Sequence, residues 1–406
     1  MNTVDPKELH VSIDIGCYNH SVAVGLANGE YLGKFEITHN KAGFKAFFSQ
    51  IEEYKKQSNG DVSVAMEGYN GHARPFDAMV QAKNYKLLNI NNLKLARFKE
   101  VFPAPAKTDE IDCRKGLELF QLQQVIPAAK NVLQAVYGIP QENKELKSLT
   151  RRRNRLVNER TRYLNSLHAD LTSVSPGLAE LTKKMKNKWF INFLASSKRL
   201  SLLVKRSEKS LLNIAWVGKT KVKKILAWQK QAMFSEDEPF MSELIRQDVI
   251  RIKELCELIT KLDKRIYGLT SESKIGKRLL SIKGFGDTSC GTLAGEIGEI
   301  NRFEKEASLA IYLGMAPLDK ISGKSKGIKT SKNVNSHAKA AMMSAVDKHR
   351  RYIEESKRYY EKKRSEGKKH NQAIRSLGRH LVRVIFQMLK KDRDYQIVIP
   401  NKKGKS

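Results

Sequence analysis

Four carboxylates carry the chemistry that this chain most plainly offers. Asp14 closes the strand-like run Val11-Ser-Ile-Asp-Ile15, and Glu67 closes a second, Val62-Ser-Val-Ala-Met-Glu67. Asp109 and Asp112 follow in Lys107-Thr-Asp-Glu-Ile-Asp112, three residues apart at the start of a helical pattern. Two acids at strand ends and two on a first helical turn can converge into one cluster. Like charges at contact distance cannot all stay ionised unaided. A pair of Mg²⁺ ions, hard cations that take oxygen ligands, would neutralise them, with Mn²⁺ as an alternative. Paired ions of this kind serve phosphodiester chemistry. Singly, each acid has a structural reading: a strand-end acid facing water, or an acid at the positive end of a helix. Their joint order on this strand pattern is what reads as catalytic. Asp61, which precedes its strand, and Asp77, inside a helix, are weaker competitors.

The elements that must position these acids follow from periodicity. Residues 9–37 alternate like three strands, Leu9–Ile15, Ser21–Leu26 and Tyr31–Ile37, with Asn28-Gly29 as a hairpin signal between the last two. Ala42–Tyr54 carries Phe44, Phe47, Ile51 and Tyr54 on one helical side. A strand over 61–67, a helix over Arg74–Ala82, a strand over Lys86–Ile90 and a helix over Thr108–Gln124 complete the set, with Thr108 as N-cap. Three antiparallel strands and then alternating helices and strands make an α/β layer in the ribonuclease-H-like order.

Bulk properties narrow the partners. The 406 residues hold 75 Lys+Arg against 43 Asp+Glu, a net charge of +32. An excess spread along the chain points to a polyanion, most simply nucleic acid. No apolar run approaches the roughly 20 residues of a membrane span, and the N-terminus shows no signal-peptide core. Cys17, Cys113, Cys256 and Cys290 lie far apart with no CxxC pair, which argues against structural zinc and a disulfide scaffold. A reducing cytoplasm fits.

Beyond residue 140 the texture changes. Leu146, Leu149, Leu156, Tyr163 and Leu167 recur at helical spacing, with Arg151, Arg152, Arg153, Arg155, Arg160 and Arg162 between them. Glu159 is the one acid among them, so this face reads as a nucleic-acid contact. Residues 183–230 are basic, read as short helices, and end at the acidic break Ser235–Pro239. Ile245, Val249, Ile252, Cys256, Ile259, Leu262 and Ile266 form a heptad seam, read as core or dimer packing. From 272 a further helical unit begins. Its turn Lys283-Gly284-Phe-Gly286 resembles a helix-hairpin-helix, which holds phosphate on backbone amides. The alternative is an ordinary connection that needs glycine. Next comes a Lys-, Gly- and Ser-rich loop holding Lys320, Ser322, Gly323, Lys324 and Lys326, and then a helix from Ser336. On residue chemistry alone this is a basic loop touching a backbone. A nucleophilic serine stays open, with Ser325, Ser331 and Ser336 beside Ser322.

Taken together, these residues resemble the DEDD transposases of bacterial insertion sequences, the bridge-RNA-guided recombinases, over nearly the whole length. The likeness rests on Ile13-Asp14-Ile-Gly16, Ala65-Met-Glu67-Gly, Lys107-Thr-Asp109-Glu-Ile-Asp112, Lys283-Gly-Phe-Gly286, Tyr312-Leu-Gly-Met-Ala-Pro317 and Ser322-Gly323. The resemblance implies a RuvC-like domain over 1–140, a helical or coiled-coil connector over 141–271 and a mainly helical serine transposase domain over 272–400. It implies divalent metal on Asp14, Glu67, Asp109 and Asp112, and it gives the nucleophile's role to Ser322, which lies past the Leu-Gly-x-x-Pro segment and directly before glycine. Many members read Ser-Ser-Gly-Gly at that loop, where this chain reads Ile321-Ser-Gly-Lys324. Implied partners are donor and target DNA, a structured bridge RNA and further copies of the chain, a dimer or tetramer for which the heptad seam is the natural contact. The implied setting is the bacterial cytoplasm, at the nucleoid. Two other functions use many of the same residues: a junction-resolving nuclease with water as nucleophile, and a non-catalytic basic nucleic-acid-binding protein.

Overall fold

A computed structural model describes residues 5–67, 71–72, 74–91, 94–95, 109–126, 132–316, 318–322, 325–329 and 334–396. Side chains at 109–112 and in the segments 318–322 and 325–329 fall outside that description. The chain divides into two compact units, Met1–Gly138 and Ile139–Ser406.

The first unit is built on strands β1 (Leu9–Ile15), β2 (Asn19–Leu26), β3 (Tyr31–Thr38), β4 (Val62–Glu67), β5 (Lys86–Ile90) and β6 (Leu133–Ala135). They lie in the order β3-β2-β1-β4-β5-β6. β1, β2 and β3 are antiparallel neighbours, while β4 and β5 run parallel to β1. This mixed sheet has the ribonuclease-H-like order that the sequence predicts. The antiparallel edge strand β6 is an addition that no periodicity signals, being only three residues long. Helices α1 (Lys41–Ser58), α2 (Arg74–Ala82) and α3 (Asp109–Val125) accompany the sheet. The Asn40 side chain caps α1 by accepting from the Gly43 amide.

Alternation along β1 sorts its residues between two layers. Leu9, Val11 and Ile13 are fully buried in a core with Phe47, Ile51 and Phe76. His10 and Ser12, also buried, face the other way, and the His10 ring stacks on Phe120 of α3 with centroids 4.0 Å apart.

The second unit is helical apart from one hairpin. It comprises α4 (Gln141–Val174), α5 (Lys188–Ala195), α6 (Glu208–Leu212), α7 (Lys219–Gln229), α8 (Glu238–Glu272), α9 (Lys274–Leu280), α10 (Asp287–Ile297), α11 (Glu306–Tyr312), strands β7 (Leu318–Ser322) and β8 (Ser325–Lys329), and α12 (Ser336–His349), α13 (Glu354–Ser365) and α14 (His370–Lys390). The long helices α4 and α8 pack antiparallel. Leu146 shares a core with Ile266, Leu156 with Leu255 and Ile259, and Leu167 with Ile245 and Val249. The heptad seam is therefore filled from within the chain, by α4 and by α5 to α7. This corrects its reading as the contact between copies: Ile245, Val249, Ile252, Ile259 and Ile266 are all buried in one subunit. Among the described residues, no helix is long and apolar enough to cross a membrane.

The buried His10 makes the first unit sensitive to acid. Burial, opposed by Glu8 and aided by Lys86, lowers its pKa from 6.5 to about 4. The neutral ring is favoured in the folded state, so this contribution is complete above pH 6.5 and is lost as pH falls through about 4. Between those limits the unfolding free energy should fall by up to about 3 kcal/mol through this one group. Urea unfolding of His10→Gln against the parent, measured from pH 7.5 to 4, should show a shallower decline for the variant.

Candidate active site

Parallel pairing sets Asp14 of β1 directly opposite Glu67 of β4 as Cα partners. Neighbouring strands lie about 4.8 Å apart, and paired residues project to the same face. The sheet thus brings two of the four acids side by side at the carboxyl ends of its central strands, both half-buried. Asp61 is exposed ahead of β4, and Asp77 is buried on α2.

The docking of α3 sets the level of its first turn, which carries positions 109 and 112. His10 meets Phe120, and Gly116 lies so close to Ser12 that a Cβ there would collide with the Ser12 hydroxyl. Two residues of strand advance about 6.6 Å, and four residues of helix about 6.0 Å. The two repeats nearly match, so the next rung after His10–Phe120 and Ser12–Gly116 is position 14 facing position 112. The Cys113 thiol donates to the Ser21 carbonyl at 2.9 Å, and Ser21 is the β2 partner of Asp14. That bond fixes the first turn of α3 at the level of Asp14. Positions 109, 112 and 116 share one helical stripe by their spacing. The side chains of Asp109 and Asp112 lie outside the described residues, as does the predicted cap Thr108. Among the described residues no group of three or more metal-binding side chains gathers. The donors that are described, two carboxylates on adjacent strand ends, suit a hard divalent cation.

Ser12, Cys113 and Gly116 were not among the residues that sequence reasoning singled out. A glycine inside a long helical pattern was the available signal, since it lowers helix propensity and marks close packing.

In the second unit, Ser322 ends β7 and pairs with Ser325 across a hairpin. Residues read as a loop therefore form two short strands. The side chains of Lys320, Ser322 and Lys326 lie outside the described residues, as do Gly323 and Lys324 altogether. The residues that flank the hairpin, Tyr312 and Asn335, are described. The Asn335 amide donates to the Tyr312 carbonyl at 2.9 Å. Asn335 Nδ2 reaches the Tyr312 hydroxyl at 2.7 Å and Glu296 at 2.8 Å, and the Tyr312 hydroxyl donates to the Glu296 carbonyl at 2.8 Å. The Glu296 side chain, fully buried, receives both prongs of the Arg151 guanidinium at 2.7 and 2.9 Å. Burial pushes this carboxyl's pKa up, but the bonds from Arg151 and Asn335 outweigh it and hold it below the usual range. Glu296, Tyr312 and Asn335 thus tie the chain on either side of the hairpin to α4 and α10.

That network gives the arginine-rich helix acidic partners that its local sequence does not show. Arg151 is bound to Glu296, and Arg153 to Asp263 of α8. The balancing acids come from distant sequence. Arg152 and Arg155 are exposed. At the glycine turn between α9 and α10, Gly284 has φ +88°, and a Cβ there would lie 2.7 Å from the His349 backbone. His349 Nδ1 donates to the Lys283 carbonyl at 2.7 Å, while the Lys283 side chain is exposed and Gly286 caps α10.

Comparison with known proteins bears on these features together. A DEDD transposase family model of the IS110 type, described as a transposase, matches residues 11–176, a stretch that holds all four acids. A second, described as the transposase IS116/IS110/IS902 family, matches residues 276–361, which hold the glycine turn and the serine hairpin. The "Insertion element IS116 uncharacterized 44.8 kDa protein" of Streptomyces clavuligerus is 22% identical over 94% of this chain and 95% of its own length. The "Insertion element IS900 uncharacterized 42 kDa protein" of Mycobacterium paratuberculosis is 24% identical over 96% of both. The "Insertion element IS110 uncharacterized 43.6 kDa protein" of Streptomyces coelicolor is 31% identical over 34% of this chain and 35% of its own. The strand order marks the first unit as ribonuclease-H-like in class. Within that class, the chain belongs to the IS110-type DEDD transposases of insertion elements.

Two substitutions test this architecture. Gly116→Ala should force α3 off Ser12 and cost about 1–3 kcal/mol by overpacking; strand cleavage should fall more steeply than stability, as read by activity and denaturant unfolding on the same preparation. Arg151→Ala leaves Glu296 buried without its cation and should cost about 3 kcal/mol; Arg151→Lys should recover only part, because a point charge cannot match the bidentate fork.

Proposed function

We propose that this transposase cuts and rejoins DNA through Ser322, with divalent cations on Asp14, Glu67, Asp109 and Asp112, and that a structured guide RNA selects the sites. The observation that carries the reading is the facing of Asp14 and Glu67 beneath a helix whose packing rungs lead to position 112. Bound there, two Mg²⁺ ions, or Mn²⁺ in their stead, would stabilise negative charge developing on phosphate and leaving oxygens. The Ser322 oxygen attacks phosphorus, a phosphoserine ester forms, the P–O bond to the deoxyribose breaks, and the serine proton ends on the departing hydroxyl. Rejoining reverses these steps on a second DNA end. Lys320, Lys324 and Lys326 around the serine, Lys283 with the Gly284 and Gly286 turn, and Arg152 and Arg155 on α4 would bear on phosphates without reading bases. Base pairing with the RNA would supply sequence choice. Donor and target must be held at once, which favours a dimer or tetramer. The second unit then comprises a connector over 141–271 and a serine domain over 272–400.

The test is a nicked suicide substrate incubated with protein, guide RNA and Mg²⁺. Wild type should leave a covalent protein–DNA adduct, and Ser322→Ala should leave none while binding DNA normally. Asp14→Ala, Glu67→Ala, Asp109→Ala and Asp112→Ala should each lower cleavage by about a hundredfold or more, and a chelator should do the same. Cleavage by Ser322→Ala without an adduct would assign the chemistry to water. Undiminished cleavage by the acid variants would remove the cation site.

A further inference from the structure

The stretch between the two matched regions holds a feature that the cleavage chemistry does not use. Residues 183–230 contain fourteen lysines and arginines and one acid, Glu208. Within them, Trp216 lies on the short connection between α6 and α7, with 70% of its surface exposed. Its backbone sits at φ +71°, a left-handed conformation that a bulky residue rarely adopts. The connection is nonetheless held firmly. Asn192 donates to the Ala215 carbonyl at 3.2 Å, the Val217 amide donates to the Ile214 carbonyl at 3.0 Å, and Val217 is buried. The turn therefore displays the indole to solvent. The chain's other tryptophans, Trp189 and Trp228, are buried in the core beneath.

The surroundings specify what would cover the ring. Lys188 Nζ lies 5.2 Å from the Trp216 ring centroid. Exposed Lys219 opens α7 just beyond Gly218, where a Cβ would meet nothing within 4 Å. That leaves an accessible helix N-terminus beside the indole, with its amides and positive dipole end. A flat apolar ring next to an ammonium and a helix N-terminus matches one chemical unit, a base joined to a phosphate. Bases of a duplex are stacked within it, so their faces are available only where the strand is unpaired.

We propose that Trp216 is a stacking platform for an unpaired base of a single-stranded nucleic-acid segment, with Lys188, Lys219 and the start of α7 on its phosphate. The charge of 183–230 makes a nucleic acid the occupant in preference to an apolar peptide. The platform takes either sugar, since a π-face is common to RNA and DNA. This inference does not depend on Ser322 as nucleophile.

The experiment uses the full-length protein, its tryptophan emission, and three probes: a 20-nucleotide RNA, the same sequence as single-stranded DNA, and the blunt duplex. Single strands should quench the exposed fluorophore and shield it from acrylamide, and Trp216→Phe should remove the quenchable component. Trp216→Ala should bind single strands about tenfold more weakly with an unchanged salt slope, and Trp216→Phe should restore most of the affinity. Lys188→Ala should instead reduce the salt slope by about one. Quenching by RNA alone or DNA alone would support the platform and identify the strand it takes. The proposal fails if single strands leave Trp216 emission and acrylamide access unchanged. It fails equally if Trp216→Ala weakens the duplex as much as the single strands.

Discussion

The contact between Gly116 and Ser12 is the constraint on which the acidic site depends. A helix lying on a sheet ordinarily keeps the distance of its side chains. Here a glycine removes the Cβ, and a serine is the smallest polar partner that could face it. Both neighbours of this contact are registered in turn, by the His10–Phe120 stack on one side and the Cys113–Ser21 hydrogen bond on the other. The near equality of four helical residues and two strand residues carries that register forward to the carboxyl end of β1. The end of β1 and the backbone of the first turn of α3 are then brought to one level by packing, with no chain-specific loop required.

The second unit solves a different problem. A hairpin of small and basic residues has little apolar surface with which to hold itself. Tyr312 before it and Asn335 after it are fastened to a buried carboxylate, Glu296, whose charge is balanced by Arg151. A buried ion pair contributes little net stability, because desolvation offsets most of the attraction. What it supplies is a single permitted arrangement. Asn335 must present one amide to Tyr312 and Glu296 while its oxygen accepts from the Ala338 amide to cap α12, so the end of the hairpin and the start of the next helix are set together.

How much of this was legible in the sequence follows from the range of each interaction. The strands β1 to β5 alternate strongly and were readable, as were the acids at their ends. The facing of Asp14 and Glu67 needed only the parallel pairing that the element order implies. β6 is too short to show a period, and Lys-Gly-Ser composition hid the hairpin of β7 and β8. The ion pairs of α4 were not legible because a local window holds only Glu159, whereas Arg153 finds Asp263 and Arg151 finds Glu296, each more than a hundred residues away. The heptad seam was read correctly as a seam. Core and dimer packing both stayed open for its partner, because the matching face of α4 carries so many arginines between its leucines that its apolar stripe is faint.

The surplus of positive charge sets a condition on how such a protein can be selective. With a net charge of +32, affinity for any polyanion is large, falls steeply with salt and is indifferent to sequence. Charge alone cannot distinguish a correct DNA end from bulk DNA. Discrimination must come from contacts that bulk DNA does not satisfy. The structure spends its buried polar network on holding the hairpin and a strained turn on displaying an indole. If Ser322 attacks DNA and Trp216 stacks on a base, both set geometric demands that most bound nucleic acid would fail to meet.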